Sequence, residues 1–214
     1  MRSSGLSAED NSVKAAIEAL AVPRVIIGHR RISSDDEYAL MPEEAVSFIT
    51  SVAKVKRASG SARIVARELL AHIGIPEAAV PKAISGAPIW PDGVVGSISH
   101  DSQIAIVAVA LSRDVGALGI DIEPAKFLPS DLLEHIATPR ELQRIAEDPF
   151  GGRLLFAAKE AVYKAVYPLD HEFLEHQDVE IDIANCRAQV RNGRAIKLRF
   201  SVSSHIIVLG FLPP

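Results

Sequence analysis

The sequence predicts an α+β fold made of two α+β halves of similar plan, meeting near residues 110–115. Three observations carry this. Each of two long helical patterns is followed by a β-hairpin pattern. The segment Ser97–Val109 is echoed by Phe200–Leu209, each with a Ser/His turn ahead of an apolar strand. And 48% of the 214 residues are apolar, enough for a core in each half.

In chain order, residues 1–12 read as a loose tail and Val13–Leu20 as a short helix ended by Pro23. Arg24–Ile27 is a short strand. Pro42-Glu43-Glu44 starts a helix, with proline near its first position and acids in the first turn, as the helix dipole favours. Ala45, Phe48, Ile49 and Val52 continue it at helical spacing. A second helix runs from about Ser61 to Ile73, stopped by Gly74 and Pro76. A Pro/Gly-rich loop, 76–93, leads into a hairpin of Val94–Ser99 and Gln103–Leu111. The second of these strands is apolar on both faces and is therefore expected to be central. Gly116–Glu123 is a further strand. Leu132–Ile136 and Arg140–Ala146 are short helices, and Gly152–Tyr167 is a long helix stopped by Pro168. Strands at Val179–Ala184, Ala188–Val190, Lys197–Val202 and His205–Phe211 close the chain, with an Asn192-Gly193 hairpin turn.

A net charge of −4 argues against a nucleic-acid binder. The single cysteine, Cys186, excludes an intrachain disulfide framework and a multi-cysteine zinc site. The polar start of the chain carries no signal core, and the longest apolar run, Ile104–Leu111, is too short to span a bilayer. These features predict a soluble cytoplasmic protein with neither nucleic-acid nor membrane partners.

The chemistry concentrates in two segments. In Gly119-Ile120-Asp121-Ile122-Glu123-Pro124 the two acids share one strand face, while Ile120 and Ile122 point to the other. Paired carboxylates with no Cys or His cluster beside them suit a hard divalent cation, Mg²⁺ or Mn²⁺. Taken alone, they are better described as a solvated strand end. On the long helix, Leu154, Leu155, Ala158, Ala161, Val162 and Ala165 form an apolar side. Phe156, Glu160, Tyr163, Lys164 and Tyr167 lie opposite, the pattern of a helix covered on both faces. Glu160 and Lys164 are i,i+4 neighbours, which alone also describes a surface ion pair. Lys54, Lys56, Arg57, Arg63 and Arg67 gather positive charge suited to a phosphate cradle or to a solvated helix face. His100, between Ser99 and Asp101 at the hairpin tip, can donate to a phosphate or simply close a turn.

Three ordered motifs stand out: Trp90-Pro91-x-Gly93-x-x-Gly96-Ser97-x-Ser99-His100, Gly119-Ile120-Asp121-x-Glu123-Pro124, and Phe156-x-Ala158-Lys159-Glu160-Ala161-x-Tyr163-Lys164-Ala165-x-Tyr167-Pro168. Together they resemble the 4′-phosphopantetheinyl transferases, most closely the long, monomeric surfactin/enterobactin type, over about residues 42–170. The resemblance implies a pseudo-two-fold pair of similar α+β subdomains, 1–112 and 113–214, with the active site in the cleft between them, the first half on the coenzyme A phosphate side and the second carrying metal and catalytic helix. It implies transfer of the phosphopantetheine arm of coenzyme A to a serine of an apo acyl or peptidyl carrier protein, with release of adenosine 3′,5′-bisphosphate. Asp121, Glu123 and Glu160 would hold Mg²⁺, or Mn²⁺ in its place. Glu160 would act as general base, directly or through water, and Lys164 would steady or protonate the leaving phosphate. Arg63, His100 and Ser99, with Lys54, Lys56 and Lys82, would contact coenzyme A. Val55 and Ser85 stand where the family often has basic residues, and Asp101 sets an acid beside His100 that is expected to weaken the nucleotide grip. These departures give the alternative of a coenzyme A or carrier-protein binding module with little transferase activity.

Overall fold

The structure, a computed structural model, describes residues 8–145 and 148–214. Its elements are α1 (Ala8–Ala19), β1 (Ile26–Arg31), α2 (Pro42–Ala45), α3 (Ala53–His72), β2 (Val94–His100), β3 (Ile104–Leu111), β4 (Ala117–Pro124), α4 (Ser130–Ile136), α5 (Pro139–Ile145), α6 (Gly151–Asp170), β5 (Val179–Asp182), β6 (Arg187–Val190), β7 (Ala195–Val202) and β8 (His205–Leu212), with short 3₁₀ turns between. Residues 1–7 of the expected tail, and Ala146 of the expected helix 140–146, lie outside the described residues.

Among the described residues the strands form two antiparallel sheets, ordered β1-β3-β2 and β4-β8-β7-β6-β5. The uninterrupted apolar run of β3 does place it in the centre of its sheet, with Ile104 to Ala110 fully buried. The α3 helix lies on the first sheet and α6 on the second. No helix among the described residues is long and apolar enough to cross a membrane.

Element boundaries differ from the sequence reading in three instructive places. The α1 helix begins at Ala8, so the turn read as tail is helical. Asn11, Lys14 and Glu18 are exposed, while Val13, Ala16 and Leu20 are buried at helical spacing. The α3 helix begins at Ala53, eight residues before Ser61. The small residues Ser59, Gly60 and Ser61 mark a packing contact rather than a helix start. A Cβ at Gly60 would lie 1.8 Å from the Asp36 carbonyl oxygen, so only glycine lets the 3₁₀ turn Ser34–Ala39 lie against the helix. Finally, α6 continues through Pro168 to Asp170 and ends on a left-handed His171. In the last turn, proline withholds one N–H, from the Lys164 carbonyl, without breaking the helix.

The two sheets meet along β2 and β4 through side chains rather than a backbone ladder. Ser97 Oγ accepts the Ile120 N–H at 3.0 Å, and Ser99 Oγ donates to Asp121 Oδ1 at 2.7 Å. Behind this seam, Val13, Ala16 and Leu20 of α1 pack with Ile104 and Ile106 of β3, Leu118, Ile120 and Ile122 of β4, and Ile207 and Leu209 of β8. One apolar cluster therefore belongs to both sheets.

Candidate active site

Glycine determines how close α6 comes to β4. Gly119 pairs in register with Gly210 of β8, and a Cβ on Gly119 would lie 1.9 Å from the Ala161 carbonyl oxygen. With no side chain between them, the helix backbone rests on the strand, and the polar side of α6 faces the seam.

Lys164 reaches across to donate to Asp121 Oδ1 (2.6 Å), Ser99 Oγ (3.1 Å) and the Ile120 carbonyl (3.3 Å). Asp121 is 4% exposed. Burial pushes its carboxyl up, and the Glu160 charge adds to this, while Lys164 and Ser99 pull the other way; the net direction is upward. Its second oxygen, Oδ2, is buried without a hydrogen-bond partner among the described residues. Glu123 is also pushed up, by burial first and the neighbouring Asp121 next, against the pull of Arg153, which donates to its Oε2 at 3.1 Å. Glu160 is held below the usual carboxylate range, chiefly by His176, whose Nε2 lies 3.1 Å from Oε1 and whose ring stacks on Phe156.

The three acids thus feel one another, yet each rests on its own partner: Lys164, Arg153 and His176. Among the described residues no preassembled cluster of three metal-ligating side chains is present. The donor set still fits a hard cation: two carboxylates on one strand face, a third on the helix above, and an orphaned buried oxygen on Asp121.

Alongside this group runs a cavity of about 360 Å³, walled by Gly86, Pro88, Trp90, Leu118 and Tyr167 and reaching Glu160 and Lys164. The other expected residues sit elsewhere. Arg63 is buried, with Nε on the Val80 carbonyl at 3.1 Å and its guanidinium over the Phe48 ring, where Lys82 joins it from solvent. Lys54 and Lys56 lie in the first turn of α3, without an ion pair among the described residues. His100 is exposed at the end of β2, its Nδ1 3.1 Å from the Asp101 carbonyl. The remaining arginines of the expected cradle serve the fold. Arg67 pairs with the fully buried Glu44, which also takes the Met41 and Val80 N–H groups, and Arg57 pairs with Glu37. A buried carboxylate needs such a donor set, and these arginines supply it.

Asp101 does not stand against a phosphate at His100. Its carboxylate turns inward to His205 Nε2 (3.0 Å) and to the Gln103 and Ile104 N–H groups. Burial pushes Asp101 up, but these bonds together outweigh it and hold its pKa below 3.8. A depressed folded-state pKa contributes stability that is present above the unfolded value and is lost as pH falls through the folded one. Asp101→Asn is therefore expected to lower stability by about 1.5–3 kcal/mol at neutral pH. The gap to the wild type should close as pH drops below 3.8, which urea melts across pH 2–7 will show.

Sequence reasoning missed Arg153, His176 and Lys159. Lys159, beside Glu160, is 1% exposed. It pairs with Glu141 at 2.8 Å and donates to the His176 and Val179 carbonyls. Only its place on the apolar side of the helix, next to Ala158 and Val162, signals this.

Comparison with known proteins identifies the family. Residues 42–110 match the family model of the 4′-phosphopantetheinyl transferase N-terminal domain, and residues 117–208 that of the 4′-phosphopantetheinyl transferase superfamily. The chain is 36% identical to 4′-phosphopantetheinyl transferase Npt of Nocardia iowensis, over 79% of this chain and 75% of that one. It is 38% identical to Svp of Streptomyces mobaraensis, over 70% of this chain and 63% of that one. With PptT of Mycobacterium tuberculosis it shares 37% identity, over 66% of this chain and 64% of that one. The match thus spans slightly under two thirds of the length of Svp and PptT. Identity across both halves, joined to a carboxylate–lysine seam, places this chain in the 4′-phosphopantetheinyl transferase superfamily.

Proposed function

We propose that this protein transfers the 4′-phosphopantetheine arm of coenzyme A to a serine hydroxyl of an apo acyl or peptidyl carrier protein, leaving adenosine 3′,5′-bisphosphate. The observation that carries the reading is the buried, unpartnered Asp121 Oδ2 within reach of the charges of Glu123, Glu160 and Lys164. Asp121, Glu123 and Glu160 would hold Mg²⁺ or Mn²⁺. Once bound, the cation supplies charge stabilisation to a pyrophosphate under attack.

The rest is the work of the chain's own groups. Glu160, kept ionised by His176, takes the serine proton directly or through water. The serine oxygen bonds to the phosphorus that bears the pantetheine, and the bond from that phosphorus to the bridging oxygen breaks. Lys164, already at the seam, offsets the charge left on the departing phosphate. The apolar cavity beside Trp90 and Tyr167 suits the pantetheine chain. On the coenzyme A side, Ser99, His100, Arg63, Lys54, Lys56 and Lys82 are the proposed contacts. Of the four cations in that set, the exposed Lys54 and Lys82 carry charge most open to a phosphate, while the buried Arg63 guanidinium lies over the Phe48 ring beside Lys82. The half 1–112 thus grips coenzyme A, and the half 113–214 performs the transfer.

Intact-mass measurement of apo carrier proteins incubated with this protein, coenzyme A and Mg²⁺ tests the reading. A gain of one phosphopantetheine arm that EDTA abolishes supports it; coenzyme A binding with no gain on any carrier class supports the binding-module reading instead. Glu160→Gln is expected to slow transfer at least about 100-fold. Rates near wild type in that variant would remove Glu160 from the chemistry.

A further inference from the structure

Arg153 has no part in the chemistry above, yet it is the side chain that holds Glu123. It projects from the first turn of α6, 19% exposed, and its guanidinium makes three contacts. Nη1 donates to Glu123 Oε2 at 3.1 Å, Nη2 to the Phe127 carbonyl at 3.1 Å, and Nε, more weakly, to the Lys126 carbonyl at 3.4 Å. The loop that follows β4 is otherwise fixed at few points. Leu128 is buried, the Ala125 N–H donates to the Ser204 carbonyl at 3.1 Å, and the Lys126 N–H to the Pro124 carbonyl at 2.8 Å. Between these anchors Phe127 is 72% exposed, its ring 6.5 Å from Phe150.

We propose that Arg153 is a latch between the cation site and this loop. Its guanidinium holds Glu123 and the Lys126–Phe127 carbonyls together, so a divalent cation taken up by Glu123 releases Arg153 and loosens the loop that presents Phe127. The inference rests on the reading of Glu123 as a metal ligand. Its physical basis is competition. A planar fork of donors bridges a carboxylate and two carbonyls. A cation binding that carboxylate replaces the guanidinium and repels it. By linkage, whatever metal does to the latch, the latch does to metal affinity. Arg153 is in this sense a positioning residue, and the exposed Phe127 segment becomes sensitive to whether the metal is in place.

The test uses the full chain and Mn²⁺ as probe, with free Mn²⁺ read by electron paramagnetic resonance and backbone exchange read by mass spectrometry. In the wild type, saturation with Mn²⁺ should speed exchange at the Ala125 and Lys126 amides. Arg153→Gln should bind Mn²⁺ about fivefold or more tightly, show fast exchange there without metal, and show no further change with it. Arg153→Lys, which keeps the charge but not the fork, should restore the weaker Mn²⁺ affinity while leaving the loop fast. Thermal melts separate a latch effect from misfolding. Unchanged or weaker Mn²⁺ binding in a folded Arg153→Gln, or loop exchange in the wild type that ignores Mn²⁺, overturns the latch. Mn²⁺ binding that survives in Asp121→Asn and Glu123→Gln unaltered overturns the metal reading itself, a separate outcome.

Discussion

Alanine at Gly119 is expected to unseat α6. The new methyl carbon would fall 1.9 Å from the Ala161 carbonyl oxygen and 2.7 Å from the Ala165 nitrogen, both backbone atoms that no rotamer change can move. Overpacking of this kind typically costs 1–3 kcal/mol, and with backbone on both sides about 3 kcal/mol is expected. In a chain of this size that lowers the melting temperature by about 6–12 °C. Because α6 carries Glu160 and Lys164, the shift should also weaken Mn²⁺ binding. The partner glycine provides the control. A Cβ at Gly210 would approach Ala161 and Ile196 no closer than 3.4 Å, so Gly210→Ala should cost under about 1.5 kcal/mol. Urea midpoints of the two variants decide the matter: equal values would mean that the helix does not rest on Gly119.

Lys159→Met should destabilise the protein comparably or more, and for an electrostatic reason. The substitution leaves Glu141, 1% exposed, with its charge unpaired in the core, a situation that costs about 3–5 kcal/mol. Glu141 also takes the N–H groups of Thr138 and Ile181, so its oxygens tie α5 to β5. Lys159→Met combined with Glu141→Gln removes the stranded charge and keeps an acceptor for Ile181. The double variant should therefore recover about 1–3 kcal/mol relative to Lys159→Met alone. Additive losses in the cycle would show that the two side chains do not interact.

What the chain discloses by pattern and what it does not divide along physical lines. Period and turn chemistry located β3, the 192–193 turn and the two faces of α6, because these follow from local geometry. The shared strand face of Asp121 and Glu123 was legible for the same reason. The partners of those acids were not: His176 follows Glu160 by sixteen residues and Arg153 lies thirty beyond Glu123, and no spacing rule links positions joined only by the fold. Asp101 was read from its neighbour in sequence, whereas its bond is to His205, on the far hairpin. The arginines of α3 read as free charge because charged side chains are ordinarily exposed. Three of them are instead committed to Glu37, Glu44 and the Val80 carbonyl. The start of α3 was placed at about Ser61, eight residues late, and Gly60 just before it serves as a contact point for the Asp36 carbonyl.

The apolar cluster shared by α1, β3, β4 and β8 has a consequence for how such chains can be recombined. A chimera that joins the first half of this chain to the second half of a relative exchanges one wall of a core it did not evolve with. Ile104 and Ile106 would meet foreign residues at the positions of Ile120, Ile122 and Leu209, and Ser97 and Ser99 a foreign strand edge. Functional crossovers should therefore be rare at the 112–116 turn, the place where the chain looks easiest to cut, unless the residues of α1 and β3 travel with those of β4 and β8. Inheritance in this fold follows the seam rather than the linker.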